Sequence, residues 1–369
     1  MYRTTALLLF FLAPVICLSQ DPGKSPPVPK YSVPDSAKFT ISNFKVTRVT
    51  GMGKDEVKSF EIGACVRVPS SEKPDAGWPA VLFISGSGSQ SKHGLQGSLD
   101  LGSHELLDAI ANAGFVVMSS DDRGIGDTPL GQDGFEPADL GYNELIGDAR
   151  AVLDALLARE DVNKARVFVV GHSEGGLTAP ILAGEKSLAG VVFMAAAGRN
   201  MYDVTYGQVE DANAGMAKGI RDLNLKIQKE LQDAAKEDRE PNFEIAGTDP
   251  KLVAVVKQTW QSVQPIRKWW HDHFNLDVPA IHADLTCPCL ITQGASDFQV
   301  KPDADAKQIM KNLLAGKCTD ATLKIYDDLD HLFKPCNGRK SEMNLYYEDR
   351  RVDARFITDV VSWLEARAE

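Results

Sequence analysis

Basic residues are scarce for a chain of this length: 40 Lys and Arg stand against 51 Asp and Glu, a formal net charge of -11. Phosphate binding draws most of its affinity from Lys and Arg, and no basic patch stands out, so no nucleic-acid partner is expected. Long apolar runs are missing too. The run at residues 6–16 falls short of the about 20 residues a bilayer span needs, and Pro14 interrupts it. With 43% hydrophobic and 25% charged residues, composition points to neither disorder nor a multispanning membrane protein. No solenoid-type repeat is visible. Cysteine is sparse, and "CPC" at residues 287–289 has no His or carboxylate at ligand spacing, so a packed or partly disulfide-bonded pair is expected rather than a metal site. At 369 residues the chain holds either one large α/β domain with insertions or two smaller domains.

The opening "MYRTTALLLFFLAPVICLSQ" sets Arg3 before the apolar run and Cys17 and Ser19 at small-x-small spacing. It reads as a signal peptide over residues 1–19, cut after Ser19, which implies a secreted or periplasmic protein without stable membrane insertion. Lipid anchoring through Cys17 is the alternative, disfavoured by bulky Ile16 where a lipoprotein signal wants a small residue. Residues 20–37, rich in Pro and Ser, read as an extended linker. Cleavage leaves Cys65, Cys287, Cys289, Cys318 and Cys336, an odd number. In an oxidising compartment Cys318 and Cys336 are expected to pair, because they bracket a short strand and the loop after it.

From Lys38 onward the chain behaves as a single domain, residues 38–369. "KFTISNFKVTRVT" and "EVKSFEIGACVRVPS" alternate and predict an antiparallel start to a sheet. Short continuous apolar runs follow: "AVLFIS", "FVVMSS", "RVFVVG", "GVVFMAA", "PCLITQG" and "ATLKIYD". Strands buried on both faces look like this, so the fold class is α/β with a mostly parallel sheet between helices. Helices are predicted over "SHELLDAIANAG", over "NELIGDARAVLDALLARE" with Leu145, Ala149, Val152 and Leu156 on one face, and over "DARFITDVVSWLEARA".

The alternation breaks at about residues 200–285, too long for a plain connection. Ile220, Leu223, Ile227 and Leu231 mark an amphipathic helix there. Asp249 and Pro250 start a second helix, and Pro265 ends it before "IRKWWHDHF". The segment reads as a helical cap inserted into the domain.

One stretch raises a chemical question: "VFVVGHSEGG" is a stiff strand meeting a serine set between glycines. A serine nucleophile must reach substrate from a backbone bending sharply from strand to helix, a turn that bulky neighbours would obstruct. Gly171 and Gly175 flank Ser173 in the Gly-x-Ser-x-Gly pattern of a nucleophile elbow. Gly176 should let the following helix pack close to the sheet, with its N-terminus towards developing negative charge.

Together "GHSEGG", "DDRGIGDT", "ISGSGS", "GASDFQV" and "DLDHLF" resemble the α/β-hydrolases, from about Val81 to Glu369. The nearest likenesses are secreted bacterial serine carboxylesterases, dienelactone hydrolases and prolyl-oligopeptidase-type catalytic domains. The resemblance implies an eight-stranded, mostly parallel sheet with catalytic residues on loops beyond the strand ends. It makes Ser173 the nucleophile and His331, after the last strand, the base, since an imidazole can take and return the serine proton near neutral pH. His172 adjoins the serine and should point away from it. His271 and His273 lie in the cap, while His93, His104 and His282 read as surface or pocket-wall residues.

The acid implied is Asp297, in the loop after "PCLITQG". Asp303 and Asp305 read as the start of the next helix, and the loop after the preceding strand, "GRN", has no carboxylate before Asp203. The backbone amides of Glu174 and Ser87 are the implied oxyanion donors, with Gly88 the alternative to Ser87. Asp122 and Arg123 would hold loops together. Trp269 or Trp270 in the cap would line the acyl or leaving-group pocket.

The expected activity is hydrolysis of a small-molecule acyl ester through an acyl-enzyme, without a cofactor. A peptidase of the prolyl-oligopeptidase type is the alternative, although the residues before Lys38 are too few for the propeller such enzymes usually carry. An inactive binding protein would be expected to have lost a triad member, and none is missing.

Overall fold

The computed structural model describes residues 28–50, 58–131 and 137–369. The signal-peptide and lipidation readings lie outside these. The chain divides into two compact units; of the described residues, the smaller holds 137–145 and 199–277 and the larger the remainder.

An eight-stranded sheet organises the larger unit. Its strands are β1 (Phe39–Thr50), β2 (Lys58–Pro69), β3 (Trp78–Ile84), β4 (Val116–Ser120), β5 (Val162–His172), β6 (Gly190–Met194), β7 (Cys289–Gly294) and β8 (Ala321–Tyr326). They lie in the order β1-β2-β4-β3-β5-β6-β7-β8. β1 with β2 and β2 with β4 are antiparallel, and every other pair is parallel, as the sequence pattern led us to expect. A parallel sheet sends all its strands the same way, so the loops after β3, β5, β7 and β8 emerge at one edge, where α/β proteins place their chemistry.

The helices are α1 (Ser103–Asn112), α2 (Tyr142–Leu157), α3 (Gly175–Glu185), α4 (Met201–Ala212), α5 (Lys218–Lys236), α6 (Pro250–Val263), α7 (Arg267–Phe274), α8 (Val278–Ala283), α9 (Lys307–Ala315) and α10 (Ala354–Ala368). Alternate sheet residues Val81, Phe83, Val117, Phe168, Val170 and Val192 meet α1 and α10 through Leu106, Ile110, Phe356 and Val360. The residues between them face the other way, where α3 packs on β5 and β6 and His282 of α8 meets the Phe193 ring edge-on at 5.3 Å. Burial on both faces is why these strands read as unbroken apolar runs. On α2 the buried stripe is Ile146, Val152, Leu153 and Leu156, turned by about one residue from the one expected through Leu145 and Ala149.

Within the smaller unit, Asp249 caps α6 by accepting the Lys251 N–H at 2.9 Å, and a 3-10 turn at Gln264–Ile266 carries Pro265 between α6 and α7. α5 buries Ile227 and Leu231 as expected, but Asn224, Gln228 and Gln232 share its buried side, while Ile220 and Leu223 are partly exposed. Part of the reason is polar pairing: Gln232 donates to Thr205 Oγ1 of α4 at 2.6 Å.

Two expectations need revision. In the segment expected as a linker, the Tyr31 hydroxyl donates to Asp108 at 3.0 Å and its ring stacks on His93 with centroids 4.2 Å apart. The expected disulfide is also absent, because Cys318 and Cys336 are free thiols. Cys318 precedes β8 and Cys336 follows the loop after it, and a six-residue strand separates its ends by about 20 Å. Among the described residues, no helix is long and apolar enough to cross a membrane.

Candidate active site

The strand-to-helix turn at Ser173 sits at the carboxyl end of β5. Ser173 adopts φ 52°, a left-handed conformation that costs a non-glycine residue energy and that tertiary structure must hold in place. It is held by its own N–H, which donates to Met194 O at 2.9 Å, and by its carbonyl, which accepts from Gly176. The flanking glycines are required sterically. A Cβ on Gly171 would lie 2.2 Å from Gly175 O, and one on Gly175 would lie 2.3 Å from Ile84 O.

Asp297 and His331 meet from the loops after β7 and β8. His331 Nδ1 lies 2.7 Å from Asp297 Oδ2, and both side chains are buried. Asp297 Oδ1 accepts the N–H groups of Gln299 at 2.8 Å and Val300 at 3.0 Å, while Gln293 Nε2 donates to Oδ2 at 2.8 Å. With every acceptor direction used, the carboxylate is fixed in place and orients the imidazole. Burial works to lower the His331 pKa, and the Asp297 charge and hydrogen bond, with a smaller contribution from Asp330, together outweigh it, leaving the pKa above its ordinary value.

His172, next to the serine, turns to the histidine loop. Its Nε2–H donates to the His331 carbonyl at 3.0 Å, and the two rings lie 4.9 Å apart. Burial, reinforced by the neighbouring His331, pushes its pKa down to about 3, so it remains a neutral donor. The elbow and the histidine loop are thereby tied together. The sequence signalled that His172 is not the base but gave no sign of this bond.

The loop after β3, which carries Ser87 and Gly88, is braced at both ends by one carboxylate. Asp122 Oδ1 accepts from Ser85 Oγ at 2.9 Å, and Oδ2 accepts the Gln90 N–H at 2.8 Å. Gln90 Nε2 crosses the loop to Gly86 O at 3.1 Å, and a Cβ on Gly86 would stand 3.0 Å from the Ser173 Cβ. The loop therefore presses directly on the serine. Desolvation, with smaller contributions from Glu174 and Asp121, raises the Asp122 pKa to about 8. Arg123 is a structural neighbour: it forks onto Asp148 at 2.6 and 2.9 Å and lies over the Phe60 ring.

The remaining candidates are dispersed. Asp305 is buried at the start of the helical turn that leads into α9, where it accepts the N–H groups of Gly198 and Lys301. Asp303 is exposed and pairs with Lys307 at 2.6 Å. His273 stacks on Tyr142 at 3.6 Å in the smaller unit. Trp270 has no accessible surface and packs against Trp269 and Phe274, while Trp269 is half-buried. Among the described residues, no cluster of three or more His, Cys, Asp or Glu could hold a metal ion.

The sheet order, the elbow after β5 and the paired Asp297 and His331 on the loops after β7 and β8 define an α/β-hydrolase. The sequence model described as serine aminopeptidase, S33, matches residues 92–333, more than half of the chain, and the chain belongs to this family. It is 24% identical over 302 residues to the esterase EstD of Thermotoga maritima, an alignment covering 81% of this chain and 64% of that protein. The chain thus spans 64% of the length of that relative. Among solved structures, an esterase of Pyrococcus furiosus superposes with a TM-score of 0.54 at 14% identity, covering 93% of this chain and 97% of that one. An acetyl xylan esterase from Paenibacillus sp. R4 gives 0.52 at 16%, covering 92% and 88%. At these identities the structural likeness shows the shared fold.

Proposed function

We propose that this chain is a serine carboxylesterase in which Ser173, Asp297 and His331 act as a triad. The observation that carries the reading is the 2.7 Å Asp297–His331 contact, joined through His172 to a serine held at positive φ. Ser173 Oγ attacks the acyl carbonyl while His331 Nε2 takes its proton. Asp297 keeps the remaining imidazole proton on Nδ1 and stabilises the imidazolium. The negative charge on the carbonyl oxygen is met by the backbone N–H of Glu174 and that of Ser87, or of Gly88 beside it. Collapse expels the alcohol, which receives the proton from His331, and water then repeats the sequence to release the acid.

Esters are favoured over peptides because the relative and the structural neighbours cited above are named esterases. The family description, serine aminopeptidase, supports the second reading. The purified chain assayed on p-nitrophenyl esters of graded chain length beside aminoacyl-p-nitroanilides separates them. Turnover of the esters with negligible release from the anilides is expected, and the reverse pattern would favour the peptidase. The N-terminal sequence motivates the further proposal that the mature enzyme is exported, which N-terminal sequencing of the extracellular or periplasmic protein tests.

A further inference from the structure

Three cysteines converge at the sheet edge opposite the candidate site. Cys289 opens β7, Cys287 lies two residues before it, and Cys318 lies in the turn before β8. The strand register draws them together: Cys289 is the parallel partner of Ala321, and its N–H donates to Asp320 O at 2.8 Å. The sulfurs of Cys289 and Cys318 each lie 3.4 Å from one acceptor, the carbonyl oxygen of Cys287. Both thiols donate to that one oxygen, which brings the Cys289 and Cys318 side chains together at this edge of the sheet. Cys289 and Cys318 are buried, whereas Cys287 is half-buried.

We infer that Cys289 and Cys318 are the site of an intramolecular disulfide, with Cys287 as the thiol through which an oxidant reaches them. Bridging needs the two sulfurs, now sharing one carbonyl oxygen, to close to about 2 Å. By contrast, Cys287 and Cys289 lie two residues apart on an extended stretch, where Cα atoms are about 7 Å apart, the limit for a disulfide. With a disulfide oxidant such as oxidised glutathione, the Cys287 thiolate attacks one sulfur and releases one glutathione thiolate. Cys289 then attacks the glutathione sulfur of that mixed disulfide, takes over the glutathione and returns Cys287 to a thiol. Cys318 attacks the Cys289 sulfur and releases the second glutathione thiolate. Overall two thiols lose two protons and two electrons, and one oxidised glutathione becomes two reduced. Hydrogen bonding from Cys289 holds the Cys318 pKa down to about 7, against the opposing effect of burial, so its thiolate is available for the last step.

The inference is independent of the proposed hydrolase activity and is tested on the full chain. The purified protein is treated with oxidised glutathione, alkylated under denaturing conditions and mapped without reduction. A thiol titre lower by two, a Cys289–Cys318 linked peptide, alkylated Cys287, and a urea midpoint that rises on oxidation and returns with dithiothreitol are the expected results. Cys318→Ser should abolish the linked peptide and leave one glutathione on the chain, a fall in titre of one instead of two. An unchanged titre, glutathione stalled on Cys287, or linkage through Cys287 or Cys336 would overturn it, and the mapping of the unmutated chain decides this even if the variant fails to fold.

Discussion

Arg350 Nη2 lies 2.7 Å from Asp330 Oδ2, with side chains 7% and 0% exposed, and this pair stands immediately beside His331. Asp330 Oδ1 also accepts the N–H groups of Leu332 at 2.9 Å and Lys334 at 3.0 Å, so one carboxylate shapes the turn that presents the histidine. Breaking a buried pair leaves a charge without compensation. Arg350→Met is expected to cost about 3–5 kcal/mol in urea unfolding. Combining it with Asp330→Asn should restore part of that loss. A single variant as stable as the unmutated protein would show that the pair does not hold the turn.

Asp122 offers a parallel case at the loop after β3. Asp122→Ala removes the acceptor for both Ser85 Oγ and the Gln90 N–H. Misplacing an oxyanion donor affects the transition state more than the bound ester, and losing one costs about 10²–10³ in kcat. A fall in kcat of up to that size with KM little changed is expected. A raised KM at unaltered kcat would instead place Asp122 in substrate binding.

The fold was legible because a parallel sheet writes itself as short unbroken apolar runs, and the elbow because Gly171, Ser173 and Gly175 sit where those runs end. Asp297 and His331 were singled out by the family resemblance, and their side chains lie 2.7 Å apart. Their supports were not singled out. Gln293 is one polar residue at the end of an apolar strand, and Arg350 reaches Asp330 across 20 residues. Sequence spacing does not encode either contact. The cysteine error has the same origin: Cys318 and Cys336 are neighbours along the chain, but strand β8 points them to opposite edges of the sheet.

In the proposed mechanism the His331 pKa sets an activity limb. Burial lowers it, the charge and hydrogen bond of Asp297 together with Asp330 raise it by more, and the result lies above 6.5. Because the base must be neutral, kcat/KM should rise with pH through that value. Asp297→Asn should shift the limb to lower pH while reducing the rate by up to about 10⁴. Stability runs the other way: the contribution of the pair is full below 6.5 and is lost as pH rises through the folded value. A limb unmoved by Asp297→Asn would separate the two residues functionally.

His172 acts in the opposite sense. Its folded pKa of about 3 lies below 6.5, so the unfolded chain takes the proton first and stability is lost as pH falls. His172→Gln retains a donor at a similar reach without the titration. Between pH 6 and 4, unfolding free energies of the unmutated protein should fall relative to this variant by about 1.4 kcal/mol per pH unit. Parallel curves would mean that His172 is not buried as a neutral donor.

The identity of the nucleophile is tested most directly by covalent labelling. A fluorophosphonate should add its mass to the peptide carrying Ser173, and Ser173→Ala should abolish both the label and ester turnover, with kcat falling by about four orders of magnitude or more. A folded Ser173→Ala variant that still hydrolyses esters at the unmutated rate, or that still takes the label, would contradict the assignment of Ser173 as nucleophile.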